Sequence, residues 1–314
     1  MNFIKNINFV DIGNKFFLIG IFFLSSALPI SGFFLLVSLI IAFSINKSSI
    51  FKDKMNILLF LSIGLIIFST FNFSYIDRPN ILSNYNVSYA WLNLFNWIPV
   101  FFLYWGFQIY LSSNQQRINF SKVIVSGCFP VILSFILQKY FKLFGPFEAL
   151  NGSIVWFQRM GQNGLSGLFS NPNYAGIWFA LVLPFSLFLL QKSKIRILSR
   201  FVIILFCISI SYGIFLTSSR NAFLGFFITI FVLYGFRKFL RILVLSTFSF
   251  LTCDLILFSI NGKTILKDFL SANSLIEKII NFNVSPRIEI WLSALSRIKE
   301  RPIQGWGAST FPIL

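Results

Sequence analysis

Long apolar runs alternate with short polar breaks along almost the whole chain, in the rhythm of helices that cross a membrane and turn back. A span needs roughly 20 apolar residues, somewhat fewer where short helices pack inside a bundle. Nine runs qualify: Phe16–Leu28, Ile30–Ile45, Met55–Phe71, Trp91–Leu111, Val123–Leu137, Tyr174–Leu190, Ile197–Leu216, Ala222–Phe236 and Ile242–Ile260. The pattern predicts an all-α polytopic membrane protein of about nine transmembrane helices over residues 16–260. The first pair reads as a hairpin turned at Pro29-Ile30-Ser31-Gly32 rather than one long kinked helix. A hairpin puts Lys5, Lys15 and the Lys47–Lys54 cluster on one side. A second hydrophobic segment following at once speaks against a cleavable signal peptide.

After the last run the period changes. Placing residues at about 100° intervals from Arg287 gathers Ile288, Trp291, Leu292, Leu295 and Ile298 on one face. Glu289, Ser293, Ser296, Arg297, Glu300 and Arg301 gather on the other. Ser285 suits the N-cap, Pro286 the first helical position and Pro302 the stop. This is an amphipathic helix that lies on the membrane or packs over the bundle.

Composition agrees. The 314 residues are 56% hydrophobic and 11% charged, with 44 phenylalanines, against about 25% charged in a soluble globule. A net charge of +17 would point to nucleic acid in a soluble protein. Here it sorts by topology, because Lys and Arg collect in cytoplasmic loops. With the N-terminus inside, Lys5, Lys15, the Lys47–Lys54 cluster, Arg117, Lys122, the Lys192–Arg200 run and Arg237–Arg241 are cytoplasmic. The outer loops before the tail hold only Arg78, Lys139, Lys142, Arg159 and Arg220. The chain therefore reads as a single membrane domain over 1–314, with the bilayer as partner and no nucleic acid. Outer segments 72–90, 139–173 and 261–314 are long enough to build a site.

The candidate chemistry is sparse. There is no histidine, and no P-loop, dinucleotide glycine motif or Gly-x-Ser-x-Gly elbow. Cys128, Cys207 and Cys253 lie inside apolar runs without paired spacing and read as small hydrophobes, so no disulfide or metal site is expected. Trp91, Trp97 and Trp105, with Tyr104 and Tyr110, fit an interfacial aromatic belt better than a sugar-binding surface. Asp254 is the one acidic residue well within a predicted span, where a carboxylate is a functional candidate or a partner for an arginine.

Thr217-Ser218-Ser219-Arg220 fills a very short outer turn, with Ser219 as N-cap of the next span. Helix-start N–H groups, a positive helix end and a guanidinium then face one place, a candidate anion pocket. An arginine that only anchors to headgroups is the alternative. Arg287 sits at the edge of the tail helix's apolar face, one turn before Trp291, with Arg297 and Arg301 at its rim. Gly305-Trp306-Gly307 is a place for close backbone approach to a ligand.

Together these pieces resemble the O-antigen ligase and O-antigen polymerase family, membrane glycosyltransferases that use undecaprenyl-pyrophosphate-linked glycans. The matching elements are Gly167-Leu168-Phe169-Ser170-Asn171-Pro172-Asn173-Tyr174 entering a span, Thr217-Ser218-Ser219-Arg220, and Arg287 with Trp291 followed by Pro302 and Gly305-Trp306-Gly307. Trp91-Leu92-Asn93-Leu94-Phe95-Asn96-Trp97-Ile98-Pro99 is similar to the cyanobacterial-type branch.

The resemblance implies a bacterial inner-membrane enzyme with its site on the periplasmic face. Such an enzyme moves a glycan from its lipid pyrophosphate to an acceptor sugar or lipid, with inversion and without metal or other cofactor. It implies that Arg220 and Arg287 stabilise the pyrophosphate, and that Arg159, Arg78, Arg297, Arg301, Gly305 and Gly307 bind substrate. Family ligases carry a histidine later in the large outer loop, and further spans after it. The expectation is therefore a C-terminally truncated or split gene product, with a partner chain supplying the missing helices. Asp254, Asp268, Glu277 and Glu289 are the acidic candidates for a base, and their spacing selects none. The competing readings are an inorganic-carbon type transporter and a noncatalytic fragment of a split glycosyltransferase.

Overall fold

The computed structural model describes residues 9–45, 53–76, 86–160, 164–192, 197–261, 286–308 and 310, with 242–261 and 286–287 as helical backbone alone. In chain order the helices are α1 (Phe9–Phe23), α2 (Leu28–Ile45), α3 (Lys54–Phe71), α4 (Val87–Asn93), α5 (Ile98–Phe107), α6 (Asn114–Ser126), α7 (Phe129–Tyr140), α8 (Pro172–Gln191), α9 (Ile197–Leu216), α10 (Arg220–Asn261) and α11 (Pro286–Glu300). The strands β1 (Phe147–Ala149) and β2 (Ile154–Trp156) lie between α7 and α8. The all-α membrane architecture holds. Among the described residues seven segments are long and apolar enough to cross a membrane: Leu28–Ile45, Lys54–Ile76, Val87–Leu111, Asn114–Tyr140, Pro172–Gln191, Ile197–Leu216 and Arg220–Arg241. The predicted first span, α1, has 15 residues, short of a full crossing by itself.

The chain divides into two compact units. One comprises 1–47 and 106–239, the other 48–105 and 240–314.

In the first unit α1 and α2 form the expected hairpin, but the turn lies at Leu24–Ala27 and α2 begins at Leu28. Proline is tolerated in a first helical turn, where no intrahelical N–H is needed, so Pro29 starts the helix rather than making the turn. Ser31 and Ser38 then serve the interface. Their hydroxyls donate to the carbonyls of Gly20 at 2.7 Å and Gly13 at 3.0 Å. Tyr110 donates to the Ser38 carbonyl at 2.8 Å and rests on Gly13, where any side chain would strike its ring. Small residues let helices close on one another where lipid offers no hydrophobic drive. Phe17 stacks on Tyr110 and Phe120 in the core so formed.

The predicted fifth span is longer than its apolar run and is broken. A reciprocal Ser113–Gln116 capping box starts α6, and the helix stops at Gly127-Cys128 because Pro130, in the first turn of α7, has no N–H to continue the hydrogen-bond ladder. Gly127 is also where α1 crosses: a Cβ there would lie 2.6 Å from the Phe22 carbonyl oxygen. The predicted loop between the last two spans is a kink instead. Gly235 alone departs from helical geometry (φ 76°, ψ 166°) within α10, a conformation glycine adopts without steric cost.

The second unit contains α3, a π-helical turn Asn72–Ile76, α4, most of α5, the far arm of α10 and α11. α4 and α5 are joined by a 3₁₀ turn, Leu94–Asn96, so the predicted fourth span is a chain of short helices with Pro99 in the first turn of α5. The aromatic belt is only partly interfacial. Trp97 and Tyr104 are about half exposed, whereas Trp105 and Tyr110 are buried. Cys128 and Cys207 are buried and unpaired.

Gly127→Ala is expected to lower the thermal unfolding midpoint of the purified protein, through a loss of roughly 1–3 kcal/mol from overpacking against Phe22. Gly32→Ala on α2, with no atom within 4 Å of the added methyl, should leave it unchanged or raise it. Equal behaviour of the two variants would contradict the α1–Gly127 packing.

Candidate functional site

In the first unit the segment between α7 and α8 folds back over the bundle. β1 and β2 pair antiparallel, with Phe147 opposite Trp156 and Ala149 opposite Ile154. The turn between them uses left-handed Leu150, Asn151 and Gly152. The Trp156 indole donates to the Ser26 carbonyl at 2.6 Å, tying the hairpin to the α1–α2 turn. The strand direction continues past β2. Phe157 and Gln158 donate their N–H groups to Leu168 and Gly167, and the Arg159 N–H goes to the Ser166 hydroxyl at 2.9 Å. Gln138, from α7, is buried beneath. Its amide donates to the Arg159 carbonyl at 2.9 Å and accepts the Gly167 N–H at 3.0 Å. The two arms around 157–159 and 166–168 are thus clamped from below.

This arrangement presents Arg159 outward, its guanidinium 5.4 Å from the Phe157 ring centroid. It lines an open cavity of ≈440 Å³ with Gly145, Pro146, Glu148, Val155 and Met160. Glu148 was not among the acidic candidates, because nothing in its spacing marks it. Only the hairpin brings its carboxylate to the same cavity as Arg159. A carboxylate and a guanidinium together offer acceptors and donors in the pattern that sugar hydroxyls require.

Beside that loop lies the Thr217–Arg220 turn. The Leu165 N–H donates to the Leu216 carbonyl at 2.9 Å, and Gly164, at φ 146°, lies so close to the Thr217 carbonyl that a Cβ would strike it. From the other side Gly176 of α8 meets Ala222, Thr217 and Ser219, all within 3.0 Å of where a Cβ would be. α8 itself starts as expected, with Asn171 capping the Asn173 N–H at 2.8 Å and Pro172 in the first turn. Arg220 opens α10 and is exposed.

Ser219 sits at the predicted N-cap position, but its hydroxyl does not cap. It is buried, at 2% exposure, and has no hydrogen-bond partner. The Thr217 hydroxyl instead accepts the Ser219 N–H at 3.3 Å, while left-handed Ser218 (φ 52°) turns the chain. Gln158, also left-handed and buried, carries an unpartnered side-chain oxygen as well. Each of the two arginine segments in this unit therefore combines a strained residue with an unsatisfied buried polar atom, a combination that marks functional sites.

The second unit holds the other arginines. α11 runs from Pro286 to Glu300 as predicted, and its apolar residues Trp291, Leu292, Leu295 and Ile298 are all more than half exposed. Past its end Gly305 and Gly307 take left-handed φ values of 67° and 85°. The close approach they permit is made to α3 and the π-helical turn. The Gly307 N–H donates to the Ser69 hydroxyl at 3.0 Å and the Ala308 N–H to the Thr70 hydroxyl at 3.2 Å. A Cβ on Gly307 would meet the Phe73 ring at 3.0 Å. Trp306 packs on Phe73, Ala90 and Val87 and donates to the Arg297 carbonyl at 2.8 Å. The guanidinium groups of Arg297 and Arg301 stand 5.4 Å and 4.8 Å from its ring, and Arg297 also pairs with Glu300 at 3.0 Å.

Among the predicted site residues, Arg159 and Arg220 thus share one end of the first unit. Arg297, Arg301, Gly305 and Gly307 form one cluster around Trp306 in the second. Arg287 belongs to the first turn of α11 by its backbone, Asp254 belongs to α10 by its backbone, and Glu289 is exposed on α11. Arg78, Asp268 and Glu277 lie outside the described residues. Among the described residues no cluster of carboxylates and cysteines could hold a metal ion.

Gly307→Ala should loosen the tail from α3, because it combines a left-handed backbone with contact to Phe73, together costing about 1–3 kcal/mol. Faster chymotryptic cleavage after Trp306 in the variant, with the remainder of the digestion pattern unchanged, is the expected result. Unchanged cleavage would contradict the docked tail.

No curated protein and no solved structure matches the chain. A family model described as O-antigen ligase matches residues 204–313. That range takes in the second half of α9, the Thr217–Arg220 turn, α10, α11 and Gly305-Trp306-Gly307, and it leaves out Arg78 and Arg159. The turn with its orphaned hydroxyl and the arginine-flanked tail are thus both inside the matched range. Residues 204–313 are thus similar to the O-antigen ligase family, in a chain with seven segments among its described residues long and apolar enough to cross a membrane.

Proposed function

We propose that the protein transfers a glycan from an undecaprenyl-pyrophosphate carrier to an acceptor sugar at the periplasmic face of the inner membrane. In that reaction one glycosyl–phosphate bond breaks and its electron pair leaves with the pyrophosphate. One glycosidic bond forms to the acceptor oxygen, on the opposite face of the anomeric carbon, as the acceptor hydroxyl gives up its proton. The requirement on the protein is positive charge fixed where the leaving group gathers negative charge.

The observation that carries this reading is the Thr217–Arg220 turn. The first N–H groups of α10 have no intrahelical partner, the helix end is positive, Ser219 holds a buried hydroxyl without a partner, and Arg220 is exposed beside them. A pyrophosphate oxygen can accept from all three. Guanidinium suits this role because its planar fork makes paired bonds to phosphate oxygens. Arg159 and Glu148, lining one cavity at the same end of the unit, are proposed to hold sugar hydroxyls. In the second unit Arg287 is proposed to bind the carrier phosphate. α11 is proposed to lie in the membrane interface by its exposed apolar face.

In proteoliposomes supplied with a lipid-pyrophosphate-linked glycan, Arg220→Ala is expected to slow transfer roughly ten- to thousandfold, from one or two lost charge-assisted bonds. Arg220→Lys should fall in between. Ser219→Ala is the sharper test, because its hydroxyl bonds nothing in the fold. It should slow transfer roughly two- to tenfold while the unfolding midpoint stays the same or rises. Full transfer by a folded Arg220→Ala variant would reject the assignment. Bicarbonate uptake by the same vesicles, in the absence of any transfer, would replace it with transport.

A further inference from the structure

The opposite end of the first unit carries a second cavity, which the proposed transfer reaction does not use. A cavity of ≈1170 Å³ opens between α6, the end of α8 and the start of α9. Small-molecule pockets usually fall between roughly 300 and 1,000 Å³, so this one is large. Its walls are two helical stripes. On α6 the residues Gln115, Ile118, Lys122 and Val125 recur at intervals of three and four. On α9 the stripe is Leu198, Val202 and Phe206, and Gln191 and Lys192 close the side from α8.

Polarity is graded along the cavity. α6 begins with Asn114-Gln115-Gln116-Arg117, is mixed through Ile118, Asn119, Phe120 and Ser121, and carries its last charge at Lys122, where the apolar run Val123-Ile124-Val125 starts. Lys122 therefore stands where the headgroup layer meets hydrocarbon, about two helical turns in from the start of α6. Beyond it the lining is Val125, Leu189, Ile203 and Phe206, with the hydroxyl of Ser126 donating back to the Val123 carbonyl at 2.9 Å. Charge has one sign. Residues 112–126 and 189–206 contain no aspartate or glutamate, while Arg117, Lys122, Lys192 and Arg200 lie on these helices and their ends. Lys192 is held over the Phe188 ring at 5.3 Å, and neither it nor Lys122 is paired with a carboxylate among the described residues.

From this gradient we infer that the cavity seats an anionic phospholipid of the adjoining leaflet, its phosphate at Lys122 and Lys192 and an acyl chain along Val125, Leu189, Val202 and Phe206. A zwitterionic lipid would fill the apolar part equally well but would bring a cationic group to a rim that already holds two ammonium groups. A soluble anion would leave the apolar half unfilled. Basic pockets between membrane helices are suited to acidic headgroups, with each lysine near the surface contributing about fivefold in affinity.

The test is native mass spectrometry of the full chain released from detergent, titrated with dioleoyl-phosphatidylglycerol or dioleoyl-phosphatidylcholine. The wild type should retain phosphatidylglycerol in preference to phosphatidylcholine. The double variant Lys122→Gln/Lys192→Gln should retain it roughly thirtyfold more weakly, whereas Arg237→Gln, on α10 and outside the cavity, should behave as wild type. Val202→Trp fills the cavity without altering charge and should also abolish retention. It decides the matter should the double variant fail to fold. Wild-type retention by both the double variant and Val202→Trp would overturn the proposal. So would displacement of the lipid by millimolar inorganic pyrophosphate, which would show a small-anion site in its place.

Discussion

Backbone polar groups at the end of a membrane bundle must find partners inside the protein, and that constraint organises everything around the candidate site. Where water is scarce an unsatisfied N–H or C=O costs several kcal/mol, so irregular chain survives there only if something answers its hydrogen bonds. Gln138 is that partner. It is buried at 1% exposure and its two ends hold the Arg159 carbonyl and the Gly167 N–H. The strand-like pairing of 157–159 with 166–168 rests on it. Through Leu165 and Gly164 the same loop pins the Thr217–Arg220 turn. Among the described residues Ser219 and Gln158, like Asn14, Asn72, Trp91 and Trp178 elsewhere, keep a buried polar side-chain atom without a partner, and of the six these two lie on the arginine-bearing segments of the first unit.

Much of this was legible in the chain. Apolar runs fixed the identity and order of the helices, and Pro286 with Pro302 bracketed α11 closely, because proline's missing N–H makes its position decisive. The boundaries failed where one residue could serve two purposes. Pro29 read as part of a turn, yet it starts a helix; Gly127 lay inside an apolar run, yet α6 ends there and α1 crosses it. Gly235 also lay inside an apolar run, Ala222–Phe236, yet one glycine with positive φ suffices for the bend that replaces the expected loop. The candidate site was legible as a set of arginines but not as a constellation. Gln138, Gln158 and Glu148 carry no local signal, since their roles come from the folding back of 141–171, which periodicity cannot register.

The arginines illustrate how similar residues take different work. Arg297 and Arg301 stack on Trp306, and Arg297 also meets Glu300. An exposed cation–aromatic contact contributes about 0.5–1 kcal/mol, enough to order a tail and compatible with further bonds from the same guanidinium edge. A group stacked by its face still presents its N–H donors in the ring plane. Trp306 therefore orients both arginines and joins them to α3 through the glycines on either side. Arg220 is held differently, by helix geometry alone, with its charge added to a helix end that is already positive. Among the described residues no carboxylate pairs with Arg220, so this turn is the one left open to an anion.

The net charge of +17 thus has two destinations that obey different rules. At the loop end, positive charge is scarce and each guanidinium sits on a strained or tightly packed segment, as expected where geometry must match a particular anion. At the other end, lysines and arginines are abundant and sit on ordinary helical turns, as expected where attraction to an acidic surface is enough. Positive-inside sorting accounts for the abundance. It does not account for an α6 stripe that carries its last charge at Lys122 and faces an apolar α9 stripe, because topology constrains only the number of charges in a loop and is indifferent to the helix face beside it. A shaped cavity with that gradient is a feature of packing, and packing around an amphiphile is the arrangement that would keep it open between α6, α8 and α9.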